Sequence, residues 1–183
     1  MTVDPVPSHF ELFGLAPSFT LDGALLEERY RELQRKLHPD RFVNADDRER
    51  LQSVQQAALI NEAYRTLQDP LLRGRYLLEQ AGYSYDDEHH TTSDAAFLME
   101  QMELREALAA VRSESDTFVA LGRFMDRIRA DLGELETQLA AQLPASDVEA
   151  MAAAADTLVK MQFFRKLQDE AVELEVELED EMV

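Results

Sequence analysis

Apolar residues recur at intervals of three and four residues along most of the chain, and this spacing restricts what it can fold into. Two stretches illustrate it: Leu26, Tyr30, Leu33 and Leu37 in the first half, and Phe164, Leu167, Ala171, Leu174 and Leu178 near the C-terminus. Residues spaced in this way lie on one face of an α-helix, whereas a half-buried strand needs strict alternation. No stretch has the alternation of a strand, so the sequence predicts an all-α fold.

Proline, glycine and capping residues divide the first part of the chain into four predicted helices. They span about 10–15 (two turns), 22–38, 51–67 (through Leu51 and Val54) and 69–82. Pro39 ends the second helix, because a residue before proline is pushed out of the helical region. The polar stretch 42–50 is predicted to be a loop. Asp69 and Pro70 suit the N-cap and first position of the fourth helix, and Gly82 suits its end.

Residues 82–93 are polar and unpatterned, which is typical of a linker. Three longer helices are predicted after it, at about 94–111, 115–143 and 146–180, and Ser146 with Glu149 has the spacing of a capping box. Three helices joined by short connections favour an antiparallel three-helix bundle. The sequence therefore predicts one domain at 1–81, a linker at 82–93 and a second domain at 94–183.

The net charge of −19 is unevenly distributed between these parts. Residues 1–80 carry a net charge of −3, and residues 81–183 carry −16. An acidic chain is poorly suited to nucleic acids or anionic membranes, which attract positive charge. The chain has no cysteine, so thiolate metal sites and disulfides are excluded. We expect a cytoplasmic protein, because no stretch is long and apolar enough for a membrane span or signal peptide. We also expect no cofactor, because the sequence has neither a thiol nor a phosphate-binding glycine loop.

The tripeptide His38, Pro39 and Asp40 stands between two predicted amphipathic helices. Four basic residues precede it on the second helix: Arg29, Arg31, Arg35 and Lys36. The stretch 60–64 (INEAY) and the pair Asp69-Pro70 follow. A given tripeptide occurs by chance in about one chain in a hundred of this size, so its context matters. In order, these elements resemble a J-domain, with a central helical hairpin and short flanking helices. The resemblance implies that the tripeptide and the basic face bind a DnaK-type chaperone and stimulate its ATP hydrolysis.

The chemistry of these residues is compatible with such a role. His38 lies at a predicted helix C-terminus, where the helix dipole favours its charged form. Pro39 fixes the turn, and the Asp40 carboxylate can accept a bidentate arginine from a partner. The basic residues have a second interpretation as an ordinary solvated face, because glutamates at positions 27, 28 and 32 alternate with them.

The predicted helix 94–111 carries two apolar faces. A helical projection puts one set of residues on a narrow inward stripe: Phe97, Leu104, Leu108 and Val111. A second set lies off that stripe: Leu98, Met99, Met102, Glu103 and Glu106. Either this second face is an exposed binding surface, or the helix is buried on two sides. On the last helix, Val148, Met151, Ala155 and Leu158 make a further predicted stripe. Phe163 belongs to neither stripe there and could join the exposed face.

Over residues 8–180 the chain resembles the HscB family of J-type co-chaperones, which serve iron–sulfur cluster assembly. The stretches 90–97, 95–108 and 153–167 carry the resemblance. It implies that the bundle holds the scaffold protein IscU, while the J-domain engages the DnaK-type chaperone HscA. The implied scaffold-binding residues are Leu98, Met99, Met102, Glu103, Glu106 and Phe163. A further acidic position of the family's face is Ala110 here, which puts an ionic contact there in doubt. The lack of an N-terminal CxxC module favours the bacterial type.

Three alternatives stay open from the sequence. The chain could be a general J-protein without an iron–sulfur role, or an acidic helical protein that dimerises through the exposed face. It could also be an enzyme with a metal at His38, His89 and His90. Adjacent histidines do not share a helix face, and nothing near His38 and Asp40 resembles a nucleophile–base pair. We therefore expect a monomer that is not an enzyme and holds no metal.

Overall fold

The computed structural model describes residues 7–38, 46–84, 92, 94–144 and 147–181. Within these residues the chain is helical and contains no strand, which confirms the predicted all-α class. The helices are α1 (His9–Leu12), α2 (Gly23–Leu37), α3 (Asp47–Gln68), α4 (Pro70–Gln80), α5 (Ala95–Ala110), α6 (Thr117–Gln142) and α7 (Val148–Asp180). A short 3₁₀ turn, Val111–Ser113, follows α5. The chain divides into two compact units, Met1–Gln80 and Ala81–Val183.

The first helix is one turn long, so the prediction of two turns is wrong. Ser8 and Glu11 form a capping box: the Glu11 N–H donates to Ser8 Oγ at 3.2 Å, and the Ser8 N–H donates to Glu11 Oε2 at 2.7 Å. Gly14 then adopts a φ of 63°, a left-handed conformation that costs glycine little. This reversal ends the helix after Leu12 and directs the chain back over the core.

A hairpin of α2 and α3 forms the centre of the first unit. The core cluster packed against it joins residues of the hairpin to two phenylalanines from the α1 region: Phe10, Phe13, Leu26, Ile60, Ala63 and Leu67. The rings of Tyr30 on α2 and Tyr64 on α3 stack at 3.9 Å between centroids. Asn61 Oδ1 accepts hydrogen bonds from Tyr30 Oη at 3.1 Å and from Gln34 Nε2 at 2.5 Å. Position 30 faces 64 and position 34 faces 61, so the two helices run antiparallel.

Helix α3 begins earlier than the sequence predicts. Residues 47–50, assigned to a loop, form its first turn, because Asp46 caps the helix and accepts the Glu49 N–H at 2.8 Å. Acidic residues in that turn, Asp47 and Glu49, also interact favourably with the helix dipole. The start of α4 agrees with the prediction. Asp69 Oδ1 accepts the N–H groups of Leu71 and Leu72 at 2.8 and 3.1 Å, and Pro70 is the first helical residue.

The second unit is built from three helices around one core. Buried side chains from all three meet there: Phe97, Leu104, Leu121, Phe124, Ile128, Phe164, Leu167, Ala171, Leu174 and Leu178. The 3₁₀ turn adds Val111. The strictly spaced stripe near the C-terminus is therefore buried as predicted. Aspartates cap each helix, at Asp94, Asp116 and Asp147.

The start of α7 differs from the prediction in two ways. Asp147 is its N-cap, accepting the Ala150 N–H at 2.9 Å, and Ser146 lies outside the described residues. Val148 begins a predicted apolar stripe whose members Ala155 and Leu158 are buried, but Val148 itself is 73% exposed. Helix α6 ends at Gln142, whose Oε1 accepts from Thr157 Oγ1 at 2.9 Å. Thr157 lies about two and a half turns into α7, so the first turn of α7 extends past the end of α6.

We expect stability of the first unit to fall as the pH falls from 7.5 to 5.5, and His9 to contribute to that fall. Its ring stacks on Tyr76 at 4.2 Å, and its Nδ1 is buried without a hydrogen-bond partner. Burial lowers the pKa of His9 below 6.5, and the nearby Glu62 carboxylate opposes this only in part. The unfolded chain therefore binds the proton first, and protonation favours unfolding.

A His9→Phe variant keeps a ring against Tyr76 and cannot titrate, so its stability should fall less over the same pH range. Urea unfolding followed by tyrosine fluorescence reports on the first unit, because none of the five tyrosines lies in α5, α6 or α7. Equal losses of stability in wild type and variant would contradict this role of His9.

Candidate docking surfaces

The predicted basic residues of α2 are all exposed: Arg29, Arg31, Arg35 and Lys36. They do not form a single cluster. At about 100° per residue, Arg31 and Arg35 lie on the flank toward α3, and Arg29 and Lys36 lie on the opposite flank. Two of them pair with glutamates of their own helix: Arg31 with Glu27, and Arg29 Nη1 with Glu32 Oε2 at 3.7 Å. Exposed pairs of this kind are weak and can exchange for a partner's carboxylates.

His38 is the residue at which α2 ends. It is exposed, and its backbone angles of φ −56° and ψ 131° lie outside the helical region. The predicted position of His38 at the end of the hairpin helix is thereby confirmed. The other two residues of the tripeptide, Pro39 and Asp40, lie outside the described residues, as do His89 and His90.

Helix α5 has the two faces that the sequence predicts. Phe97 and Leu104 are buried at 3% and 0% exposure. On the other face, Leu98, Met99 and Met102 are 46%, 66% and 64% exposed. Glu103 and Glu106 are exposed on the same side. We call these five residues the Leu/Met face: Leu98, Met99, Met102, Glu103 and Glu106. The alternative that α5 is buried on two sides is wrong for this unit.

Phe163 of α7 lies at the edge of this helix, half-buried. Its ring meets the rings of Phe97 and Phe164 edge-on, each at 5.6 Å between centroids. Arg105 of α5 places its guanidinium 5.8 Å from the Phe163 centroid. Phe97 precedes Leu98 directly, so Phe163 and Arg105 border the Leu/Met face on its α7 side. Arg105 is not among the residues predicted for this face, although its spacing of three from Met102 places it on the same side of the helix.

A second set of contacts ties the start of α5 to α7. Asp94 Oδ1 accepts the N–H groups of Ala96 and Phe97 at 3.1 and 3.2 Å, which caps the helix. Lys160 Nζ of α7 donates to Asp94 Oδ2 at 2.7 Å and lies 5.2 Å from the Phe97 ring centroid. The hydrogen bond from Lys160, followed by that from the Phe97 N–H, lowers the pKa of Asp94. No sequence pattern pairs Asp94 with Lys160, because the contact depends on how the helices pack.

The C-terminal end of α5 carries no acidic group at position 110, where the family resemblance implies one. Ala110 is the last residue of α5 and is exposed, so it offers no charge to a partner.

Among the described residues, no three histidine, cysteine or acidic side chains converge as metal ligands would. In the same residues, no helix is long and apolar enough to span a bilayer.

Comparison with known proteins accounts for both units. The family described as "DnaJ domain" matches residues 8–76. The family described as "HSCB C-terminal oligomerisation domain" matches residues 93–172. The chain is 42% identical over 173 residues to the "Co-chaperone protein HscB homolog" of Shewanella sp. (strain MR-4), covering 94% of this chain and 99% of the relative.

Solved structures have the same fold. The chaperone HscB from Vibrio cholerae aligns with a TM-score of 0.83 at 44% identity, covering 94% of this chain and 99% of that one. The human co-chaperone protein HscB aligns with a TM-score of 0.84 at 30% identity, covering 95% and 85%. With a DnaJ domain, the HscB C-terminal domain and a relative at this identity over nearly its full length, the chain belongs to the HscB family of co-chaperones.

Proposed function

We propose that this chain is a bacterial-type J-protein of iron–sulfur cluster assembly in the cytoplasm. In this proposal the domain at 1–81 binds the DnaK-type chaperone HscA and stimulates its ATP hydrolysis. The domain at 94–183 binds the scaffold protein IscU, and residues 82–93 link the two. The chain itself catalyses no reaction and holds no cofactor. The observation that carries the proposal is the exposed Leu/Met face in a chain that also contains a DnaJ domain.

The Leu/Met face has the properties of a protein-binding surface. Its three large apolar side chains are between 46% and 66% exposed and adjoin one another on one helix. Contiguous exposed apolar surface of this kind commonly marks an interaction site. Methionine is flexible and polarisable, so it adapts to the shape of a partner. Glu103 and Glu106 add negative charge at the rim, which selects partners with complementary basic residues.

The support beside the face is rigid, which favours a defined binding geometry. Phe163, packed between Phe97, Phe164 and Arg105, offers part of a ring to a partner while the rest stays in the core. We propose that Phe163 completes the scaffold-binding surface with the five residues of the Leu/Met face. Surfaces on helices held by packing lose little freedom on binding, and this benefits affinity.

The chaperone-binding role is proposed for seven residues of the first unit: His38, Pro39, Asp40, Arg29, Arg31, Arg35 and Lys36. The exposed side chains of α2 and the exposed His38 at its end support this. Positively charged groups can be attracted to an acidic surface on the chaperone over about 8–10 Å in physiological salt. The attraction raises the encounter rate more than the final affinity.

The proposed mechanism follows from carrying the chaperone-binding and the scaffold-binding surface on one chain. Once the scaffold is bound to the second unit and the chaperone to the first, the encounter of scaffold and chaperone becomes effectively intramolecular. A short tether can supply an effective concentration in the millimolar range. The chaperone then captures the scaffold as ATP is hydrolysed, and cluster transfer to acceptor proteins is promoted. The iron–sulfur cluster is cargo on the scaffold in this scheme.

The description of residues 93–172 as an oligomerisation domain favours a second candidate, in which the Leu/Met face pairs two copies of this chain. Glu103 and Glu106 oppose such pairing, because they place like charges against each other when the same face meets itself. Light scattering distinguishes the two: our proposal expects the mass of one chain, 20.9 kDa.

His38→Gln should abolish stimulation of the chaperone and leave scaffold binding intact. Glutamine keeps hydrogen-bonding capacity but lacks the imidazole ring. The measurement is ATP turnover by HscA with wild type or variant, with a parallel binding assay for IscU. Stimulation by the variant equal to that by wild type would remove His38 from the proposed role. Failure of wild type to stimulate would refute the chaperone-binding proposal as a whole.

Met102→Glu should keep the stimulation seen without scaffold and lose the additional stimulation when IscU is present. A carboxylate at this 64% exposed position would be desolvated in the complex, so we expect scaffold affinity to fall by at least about tenfold. Val176→Glu is a matched control, because Val176 is 53% exposed on α7 and lies outside the Leu/Met face. If Met102→Glu retains full synergy, the scaffold binds elsewhere.

A further inference from the structure

The first unit exposes apolar side chains on α3 that its proposed function has not used. Among the described residues of that unit, the exposed large apolar side chains are Leu51 and Val54, at 59% and 63%. They lie about one turn apart on α3, and exposed Ala58 follows one turn later. We call Leu51, Val54 and Ala58 the α3 stripe. The core-facing residues Ile60 and Leu67 are on the other side of the helix.

The α3 stripe lies on the same side of the hairpin as two of the basic residues. Val54, Ala58 and Asn61 follow one another at spacings of four and three, so they share a strip of α3. Asn61 accepts a hydrogen bond from Gln34 of α2 at 2.5 Å. Arg31 and Arg35 lie outward of Gln34 on α2. The contact between Asn61 of α3 and Gln34 of α2 therefore has Arg31 and Arg35 on its α2 side and the α3 stripe on its α3 side.

The stripe also lies toward the end of the hairpin at which His38 is found. The helices run antiparallel, with Gln34 beside Asn61. Moving from Asn61 back to Val54 covers seven residues, or about 10 Å along the axis. The same direction on α2 leads from Gln34 to its last residue, Leu37, and to His38. The stripe thus flanks the end of α2 where the proposed chaperone-binding tripeptide begins.

The charge pattern around the stripe is unusual for this chain. Acidic residues number 37 among 183, yet none occurs in residues 50–61. Arg48 lies just before this segment and Arg50 begins it, both in the first turn of α3, while Glu49 and Glu62 are the acidic residues on either side. The segment therefore carries no negative charge in an acidic protein, and the exposed α3 stripe within it forms an apolar window with Arg48 and Arg50 at its N-terminal end. Such a window is complementary to a partner surface with an apolar patch among acidic groups.

We propose that the α3 stripe is the apolar half of the chaperone-docking surface, with Arg31 and Arg35 as its basic half. The inference rests on the proposed function and specifies its first site. The partner is the DnaK-type chaperone in its ATP-bound state, through a nonpolar patch bordered by carboxylates. A second copy of this chain is a poor occupant. Two large side chains and one alanine cover far less than the roughly 800 Å² per partner that stable complexes bury.

The test is the double variant Leu51→Gln with Val54→Gln. Both positions are exposed, and glutamine is a good helix former, so the fold should be kept. We expect the Kd for the ATP-bound chaperone to rise about tenfold. The salt dependence of Kd should stay as in wild type, because an apolar contact is not screened. In contrast, Arg31→Gln with Arg35→Gln should flatten the salt dependence.

Val172→Gln with Val176→Gln is the matched control, since those valines are 43% and 53% exposed on α7 of the other unit. It should bind the chaperone as wild type does. Unchanged affinity of the α3 double variant, with stimulation still lost in His38→Gln, would overturn this inference and leave the proposed function standing. No binding by wild type would overturn both. A wild-type dimer that the α3 variant converts to a monomer with unchanged chaperone affinity would assign the stripe to a second copy, also overturning the inference.

Discussion

The second unit depends on one packing constraint: a three-helix bundle has a single core, and α5 carries two apolar faces. Phe97 and Leu104 enter the core with the continuous buried stripe of α7. Leu98, Met99 and Met102 are then left outside, because no fourth helix of the described unit covers them. Apolar surface in water is unfavourable by about 25 cal/mol per Å². The fold tolerates this cost on α5, and a partner that covers the face recovers it.

The exposed face is useful only if α5 is held firmly, and two contacts with α7 do this. Lys160 links to Asp94 at the cap of α5, while Phe163 packs against Phe97 one residue before the face begins. Both contacts join the start of the same helix to the same neighbour. The side chains of the face are therefore free to adapt, but the backbone that carries them is fixed. This combination suits the scaffold-binding role proposed for the face.

Features that depend on local periodicity and capping could be predicted from the sequence. Features that depend on where a neighbouring helix ends could not. The buried stripe of α7, the two faces of α5 and the Asp69-Pro70 start of α4 were all readable from spacing and capping chemistry. The prediction of a loop at 47–50 was wrong, because Asp46 caps α3 and allows these residues to form its first turn. The polar composition of the stretch favoured a loop instead. Val148, at the start of a predicted apolar stripe, is exposed because α6 stops short of it. Leu51 and Val54 were visible as apolar residues, but only packing against α2 determines that they face outward.

The two units differ in charge in a way that separates their partners. The first has a net charge of −3 and an apolar window that lies beside arginines and contains no acidic residue, while the second has −16 and an apolar face rimmed by glutamates. A partner with acidic groups around an apolar patch is attracted to the first window and repelled by the second. A partner with basic groups has the opposite preference. Discrimination then comes as much from repulsion at the wrong site as from contact at the right one. In the proposed scheme, two apolar surfaces on one small chain thus bind different proteins that do not compete for the same site.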